Sequence, residues 1–188
     1  PLRLVGSEMC IRDSICGGDS RYQGSQGSSV IKVFDMTAAI TGINEANARS
    51  SGLDAEAVIL SPMSHAGYYP GGKVMTMKVV FEKGTYRLLG AQIVGYEGVD
   101  KRIDVLATAI HAGMKATRLK DLDLAYAPPY SSAKDPVNMA GFMIDNIANG
   151  TMKQWHLQDV HQLPRDGSVT LLDTRTVGEY SSGHIEGF

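Results

Sequence analysis

A chain of 188 residues that is 43% hydrophobic and 20% charged is ordinary globular material, enough for one domain and part of another. Its net charge of -2 leaves no basic footprint for nucleic acid, and no apolar run approaches the roughly 20 residues that cross a bilayer, so neither nucleic acid nor membrane is an expected partner. Cys10 and Cys16 lack C-x-x-C spacing, and His65, His111, His156, His161 and His184 form no ligand cluster, so neither a disulfide framework nor a metal site is expected. With no secretory signal in view, the cytoplasm is the expected compartment.

Residues 4–14, L-V-G-S-E-M-C-I-R-D-S, resemble a translated sequencing adapter; residues 1–14 are set apart from the fold, which leaves Cys16 as the native thiol. Residues 15–28 carry Gly17, Gly18, Gly24 and Gly27 with little apolar content and read as an irregular connector. Gly24-Ser25-Gln26-Gly27 lacks the G-x-G-x-x-G order of a phosphate cradle and reads as a turn. Val30 to Ile40 predicts one or two strand segments, Asn44 caps a short helix through Arg49, and Gly52 stops it. Ala57 to Leu60 is a further strand, and it delivers the loop Ser61 to Gly72, in which Tyr68 and Tyr69 precede Pro70.

Lys73 to Glu82 and Tyr86 to Tyr96 read as a hairpin across Lys83-Gly84-Thr85, with Met75, Met77, Val79 and Phe81 on one face and the methionines as core filler. Val99, Ile103, Leu106 and Ile110 mark one face of a helix that Gly113 ends, with Lys101, Arg102 and Asp104 pointing elsewhere. A short turn near Leu119 to Leu122 precedes Tyr126 to Pro136, Y-A-P-P-Y-S-S-A-K-D-P. Pro128 and Pro129 predict a stiff polyproline-like rod that holds Tyr126 and Tyr130 at a set separation. Ser131 and Ser132 add hydroxyls and Lys134 a cation, and Asp135 with Pro136 is an N-cap and first helical position. The helix that follows carries Val137, Ala140, Ile144 and Ile147 on one side and ends at Asn149-Gly150.

The predicted class is α+β: an antiparallel sheet with helices on one face, whose other face needs a partner, most simply a second copy about a two-fold axis. The tyrosine loops admit two readings. A phenol is a donor with a flat apolar face at neutral pH, so it can lie against a cofactor ring or donate to a thiolate; equally, the rings can simply pack a loop onto the sheet.

Three motifs in order, S-H-A-G-Y-Y-P-G at Ser64 to Gly71, G-Y-E-G-V-D-K-R-I-D-V at Gly95 to Val105, and the proline loop, carry a family resemblance. From about Ile15 to Asn149 the chain resembles the C-terminal dimerisation domain of FAD-dependent pyridine nucleotide-disulfide oxidoreductases, in the branch of coenzyme A-disulfide and NADH-dependent persulfide or polysulfide reductases. The resemblance implies that residues 29–149 are that domain and 15–28 the tail of the FAD-binding domain. It implies a homodimer in which Tyr126, Tyr130 and Tyr68 reach the partner's active site, whose redox cysteine lies outside this chain. Tyr126, Pro128 and Pro129 would stand near the partner's flavin, and Tyr69 and Lys134 would meet substrate. FAD and NAD(P)H would serve the parent enzyme, its substrate a small-molecule disulfide, a persulfide or a coenzyme A thiol; the chain alone is expected to bind no flavin and to be inactive. Residues 150–188 change character. L-L-D-T-R at Leu171 to Arg175, Glu179-Tyr180 and G-H-I-E-G at Gly183 to Gly187 resemble the start of a rhodanese domain, with an expected buried strand at Val169 to Arg175, a short helix at Val177 to Ser182, Asp173 and Arg175 as a structural pair and His184 as a packing residue. Glu186 departs from the usual proline there and Phe188 from the usual small residue, and the chain stops before the loop that would carry the sulfur-accepting cysteine. The rival readings are an association module without catalysis, and an NADH oxidase or peroxidase of the same superfamily.

Overall fold

The computed structural model describes residues 4–22 and 24–188, which divide into two compact units, Pro1–Met152 and Lys153–Phe188. In the first, the helix α1 (Leu4–Ile15) covers most of the segment expected to lie outside the fold, and residues 18–22 and 24–28 are irregular. Strands β1 (Ser29–Val33), β2 (Met36–Gly42), β3 (Ala55–Leu60), β4 (Thr76–Glu82) and β5 (Leu88–Gly95) form one antiparallel sheet in the order β1-β2-β5-β4-β3. The β1–β2 link is the two-residue turn Phe34-Asp35, with Phe34 at φ +52°, a left-handed conformation that a bulky side chain rarely takes.

Alternation along the strands separates two cores. Met75, Met77, Val79, Phe81, Ala91 and Ile93 face α3 (Val99–His111) and α4 (Pro136–Ala148), where Val99, Ile103, Leu106, Val137, Ala140 and Ile144 complete a dry layer. The methionines are therefore core. On the opposite face Ala57, Val80 and Leu89 pack with Ala48 of α2 (Glu45–Ser50), which Asn44 caps through Asn47. The expectation of helices on one face is thus corrected: the residues between β2 and β3 are long enough to fold back as α2 across the other face. Beyond α2, the described residues leave that face open at Ile31 and Val94. Register places Ile31 opposite Ala38 and Ala38 opposite Val94, an apolar row that solvent reaches.

A second correction concerns Arg102, expected to point away from the apolar stripe. It is 1% exposed, among the most buried side chains in the chain. It follows Val99 by three residues, so helical geometry puts it on the inward face whatever its charge. A 3₁₀ helix (Ala116–Asp121) then leads to the proline loop.

The second unit holds a 3₁₀ helix (Leu157–Gln162) and α5 (Val177–Ser182), the latter closed by a capping box between Thr176 and Glu179. The expected strand at Val169 to Arg175 is absent among the described residues, and Leu172 is exposed. A strand is held by a ladder, and this unit supplies no second strand to pair with. Asp173 and Arg175 do form a bidentate pair, Nη2 to Oδ2 at 2.6 Å, and Nη2 also donates to the Gly183 carbonyl at 2.9 Å. His184 stacks on Tyr180 at 3.8 Å between centroids.

Candidate functional site

Two loops meet beside the first turn of α3. The loop after β3 is folded on itself by Ser64, whose N–H donates to the Lys73 carbonyl at 2.7 Å and whose hydroxyl accepts from the Lys73 N–H at 3.1 Å. The Tyr69 N–H donates back to the Ala66 carbonyl, so Tyr68 stands at the outside of a turn. The loop before α4 is not the extended rod that two prolines predict. The N–H groups of Tyr130 and Ser131 both donate to the Ala127 carbonyl, at 2.9 and 3.2 Å, so Pro128 and Pro129 sit in a turn. Proline's fixed φ serves a turn as well as a polyproline helix, and the carbonyl decides between them.

The loops are joined at three depths. Outermost, the Tyr68 and Tyr126 hydroxyls share a hydrogen bond of 2.6 Å, the two residues being 76% and 46% exposed. Below it, the Ala66 N–H donates to the Ser131 carbonyl at 3.0 Å. Deepest lies Arg102. Its Nη2 donates to the Ser64 carbonyl at 2.8 Å and to the Tyr130 carbonyl at 3.3 Å, its Nη1 to the Gly98 carbonyl at 3.1 Å, and its Nε to Asp135 Oδ2 at 3.1 Å. Asp135, itself 2% exposed, also accepts from the Ser131 hydroxyl at 2.7 Å and caps α4 through the Val137 N–H at 3.0 Å. Asn138 completes the capping box and donates to the Leu119 and Leu122 carbonyls. Gly98 has φ +68°, and a Cβ there would collide with Arg102 Nη1, so glycine is required on both counts.

Between the loops and α3 opens a cavity of about 510 Å³, whose lining includes Ser64, His65, Glu97, Arg102, Tyr126, Pro129 and Tyr130. Tyr126, Pro129 and Tyr130 thus share one hollow, and Tyr68 joins them through its phenol. Pro128, Tyr69 and Lys134 are elsewhere: Pro128 is in the turn but off the lining, the Tyr69 ring packs edge-on against His65 at 5.5 Å, and Lys134 Nζ stands 4.8 Å from the Phe142 centroid. Sequence reasoning missed Arg102, Asp135 as a counter-charge, and Ser64; the available signal was an arginine three residues beyond Val99 on an otherwise apolar stripe.

The hydrogen bond to Tyr68, with partial desolvation and the charge of a second phenolate added to it, holds the Tyr126 pKa above the usual phenol value. Two bonded phenols have two protons and use one between them, so the second can be donated to a further acceptor. The arrangement suits an incoming anion such as a thiolate.

The described residues contain no group of three His, Cys, Asp or Glu placed to hold a metal, and no helix long and apolar enough to cross a membrane. They do not fit a flavin dinucleotide as its whole site. Such a cofactor needs a glycine-rich strand-to-helix turn around its phosphates, and neither the β2–α2 nor the β5–α3 connection has that order. To such a cofactor Tyr126 and Pro129 offer a flat apolar edge and a phenol, not a phosphate cradle.

Residues 28–137 match the family model of the pyridine nucleotide-disulphide oxidoreductase dimerisation domain. The chain belongs to that family. A coenzyme A disulfide reductase of Staphylococcus epidermidis is 38% identical over 133 residues, covering 70% of this chain and 30% of the relative. The reduced Bacillus anthracis CoADR-RHD superposes with a TM-score of 0.86 at 44% identity, covering 93% of this chain and 31% of that one. A NAD-dependent persulfide reductase from A. fulgidus gives a TM-score of 0.73 at 45% identity, covering 76% and 27%. This dimerisation domain therefore spans about 30% of the length of the relatives it matches.

Proposed function

We propose that this oxidoreductase dimerisation domain serves a homodimeric, FAD-dependent, NAD(P)H-driven reductase of the cytoplasm that acts on coenzyme A disulfide, a persulfide or a polysulfide. Residues 29–149 pair two subunits, and Tyr126, Tyr130 and Tyr68 are presented to the partner's sulfur site. The observation that carries the reading is the Tyr68–Tyr126 phenol pair, exposed and with Tyr126 lining a cavity, where packing within the chain would have buried it. The names of the relatives at 38 to 45% identity supply the sulfur chemistry.

When bound, the flavin supplies the electrons that reduce the disulfide. The residues of this chain do something narrower. A thiolate forming in a water-poor site is stabilised by a donor already in place, and the second proton of the phenol pair is such a donor. Because the Tyr126 pKa is raised, that donor persists through the neutral range and above it.

Residues 150–188 we assign to a linker and the start of a rhodanese-like domain. The 93% cover by CoADR-RHD supports this, since it leaves too few residues aside to omit Lys153–Phe188.

The test is Tyr126→Phe and Tyr130→Phe in the whole reductase. Turnover is expected to fall on the order of 10²–10³-fold in at least one, as for loss of one donor at a developing charge, with sedimentation of the dimer unchanged. Native turnover in both variants sinks the catalytic role and leaves an association module.

A further inference from the structure

The deepest of the three links between the tyrosine loops is the one whose function the family assignment does not supply. Arg102 sits on α3, outside both loops, yet one of its nitrogens holds a carbonyl from each: Ser64 at 2.8 Å and Tyr130 at 3.3 Å. Its position along α3 is fixed from below by the Gly98 carbonyl and from the side by Asp135. Every bond is at a planar fork, so the two carbonyls cannot separate without breaking one.

We infer that Arg102 is a positioning residue, a buried clamp that sets the spacing of the Ser64–Gly72 and Tyr126–Ser131 loops and so brings the Tyr68 and Tyr126 hydroxyls into contact. Three observations converge on it. The two carbonyls held belong to the loops that carry the phenols; the loops also touch directly, through Ala66 and Ser131; and the phenol pair itself lies in solvent, where a hydrogen bond between two exposed side chains does not hold two loops together by its own strength. The geometry of the outer pair is thus inherited from the inner clamp. This deepens the reading of the phenol pair as a donor and rests on it for its catalytic meaning, though not for its structural content.

The 188-residue chain tests it directly. Tyrosines are labelled with ¹³C at Cζ, and Tyr126 is assigned by the signal lost in Tyr126→Phe. In the native chain Tyr126 is expected to titrate above the usual phenol value, chiefly through its bond to Tyr68, and in Tyr68→Phe most of that elevation should be lost. Arg102→Lys keeps a charge opposite Asp135 but, lacking the planar fork, cannot reach the Ser64, Tyr130 and Gly98 carbonyls together with Asp135. It is expected to lose the elevation as Tyr68→Phe does, while circular dichroism shows native helix content. A folded Arg102→Lys in which Tyr126 titrates as in the native chain overturns the inference. Should Arg102→Lys not fold, the paired variant Arg102→Met/Asp135→Asn, which removes both charges and keeps a cap, decides in the same way. A purely structural arginine lowers the melting temperature and leaves the tyrosine signal where it was, and that result also counts against the clamp. Indifference of turnover to Tyr126→Phe, by contrast, would remove the catalytic reading while leaving the NMR result standing.

Discussion

A guanidinium taken wholly out of water is tolerable only where its donors are met, and Arg102 meets this condition with one carboxylate, three carbonyls and the Ser131 hydroxyl. The carboxylate it faces has a second task, capping α4. Asp135→Ala therefore removes a cap and leaves a buried charge unpaired, and is expected to cost about 3–5 kcal/mol in urea unfolding of the first unit. Asp135→Asn keeps an acceptor for the Val137 N–H and should cost less than Asp135→Ala. Equal losses in the two variants would mean that the cap contributes nothing beyond the charge. At this scale the sequence was half legible. Asp135-Pro136 announces a cap by residue type alone, because capping is local chemistry. The other function of Asp135 depends on an arginine 33 residues away, and nothing in the two sequences marks them as partners.

At the scale of elements, most of the order of strands and helices could be read from periodicity. Met75, Met77, Val79 and Phe81 alternate, and Val99, Ile103 and Leu106 recur at helical spacing, because each pattern records which side faces the dry layer. Periodicity failed where tertiary pairing decides. The hydrophobic run at Val169 to Leu172 looks like a buried strand but has no ladder partner, and the double proline looks extended but closes a turn onto Ala127. The bare face of the sheet is also a tertiary matter. Ile31 and Val94, two strands apart in register through Ala38, are 61% and 42% exposed, and we propose that pairing with a second copy buries this row. Ile31→Glu combined with Val94→Glu would place carboxylates in that contact. Sedimentation of the 188-residue chain should then show at least a tenfold weaker dimer, with helix content unchanged because both positions are exposed in the single chain. An unaltered association constant would move the interface to another face.

Taken whole, the molecule joins two units of different construction. The first rests on two dry layers and a buried ion pair, the second on exposed caps, a stacked pair of rings and the Asp173–Arg175 bridge. Acid should separate their responses. The side-chain hydrogen bond from Arg175, joined by its backbone N–H, lowers the Asp173 pKa from 3.8 to about 2. A carboxyl whose pKa is depressed on folding contributes stability that is complete above its unfolded value and disappears as pH falls through the folded one. The bridge is thus intact above pH 3.8 and lost toward pH 2. Arg175 Nη2 also holds the Gly183 carbonyl, so protonation loosens the turn after α5 along with the bridge. Amide signals of Arg175 and Gly183 should shift together across that window in ¹H–¹⁵N spectra, and Asp173→Asn should show the acid-limit positions already at pH 5. Signals that stay fixed down to pH 2, or that move identically in Asp173→Asn, would mean that another group governs this turn.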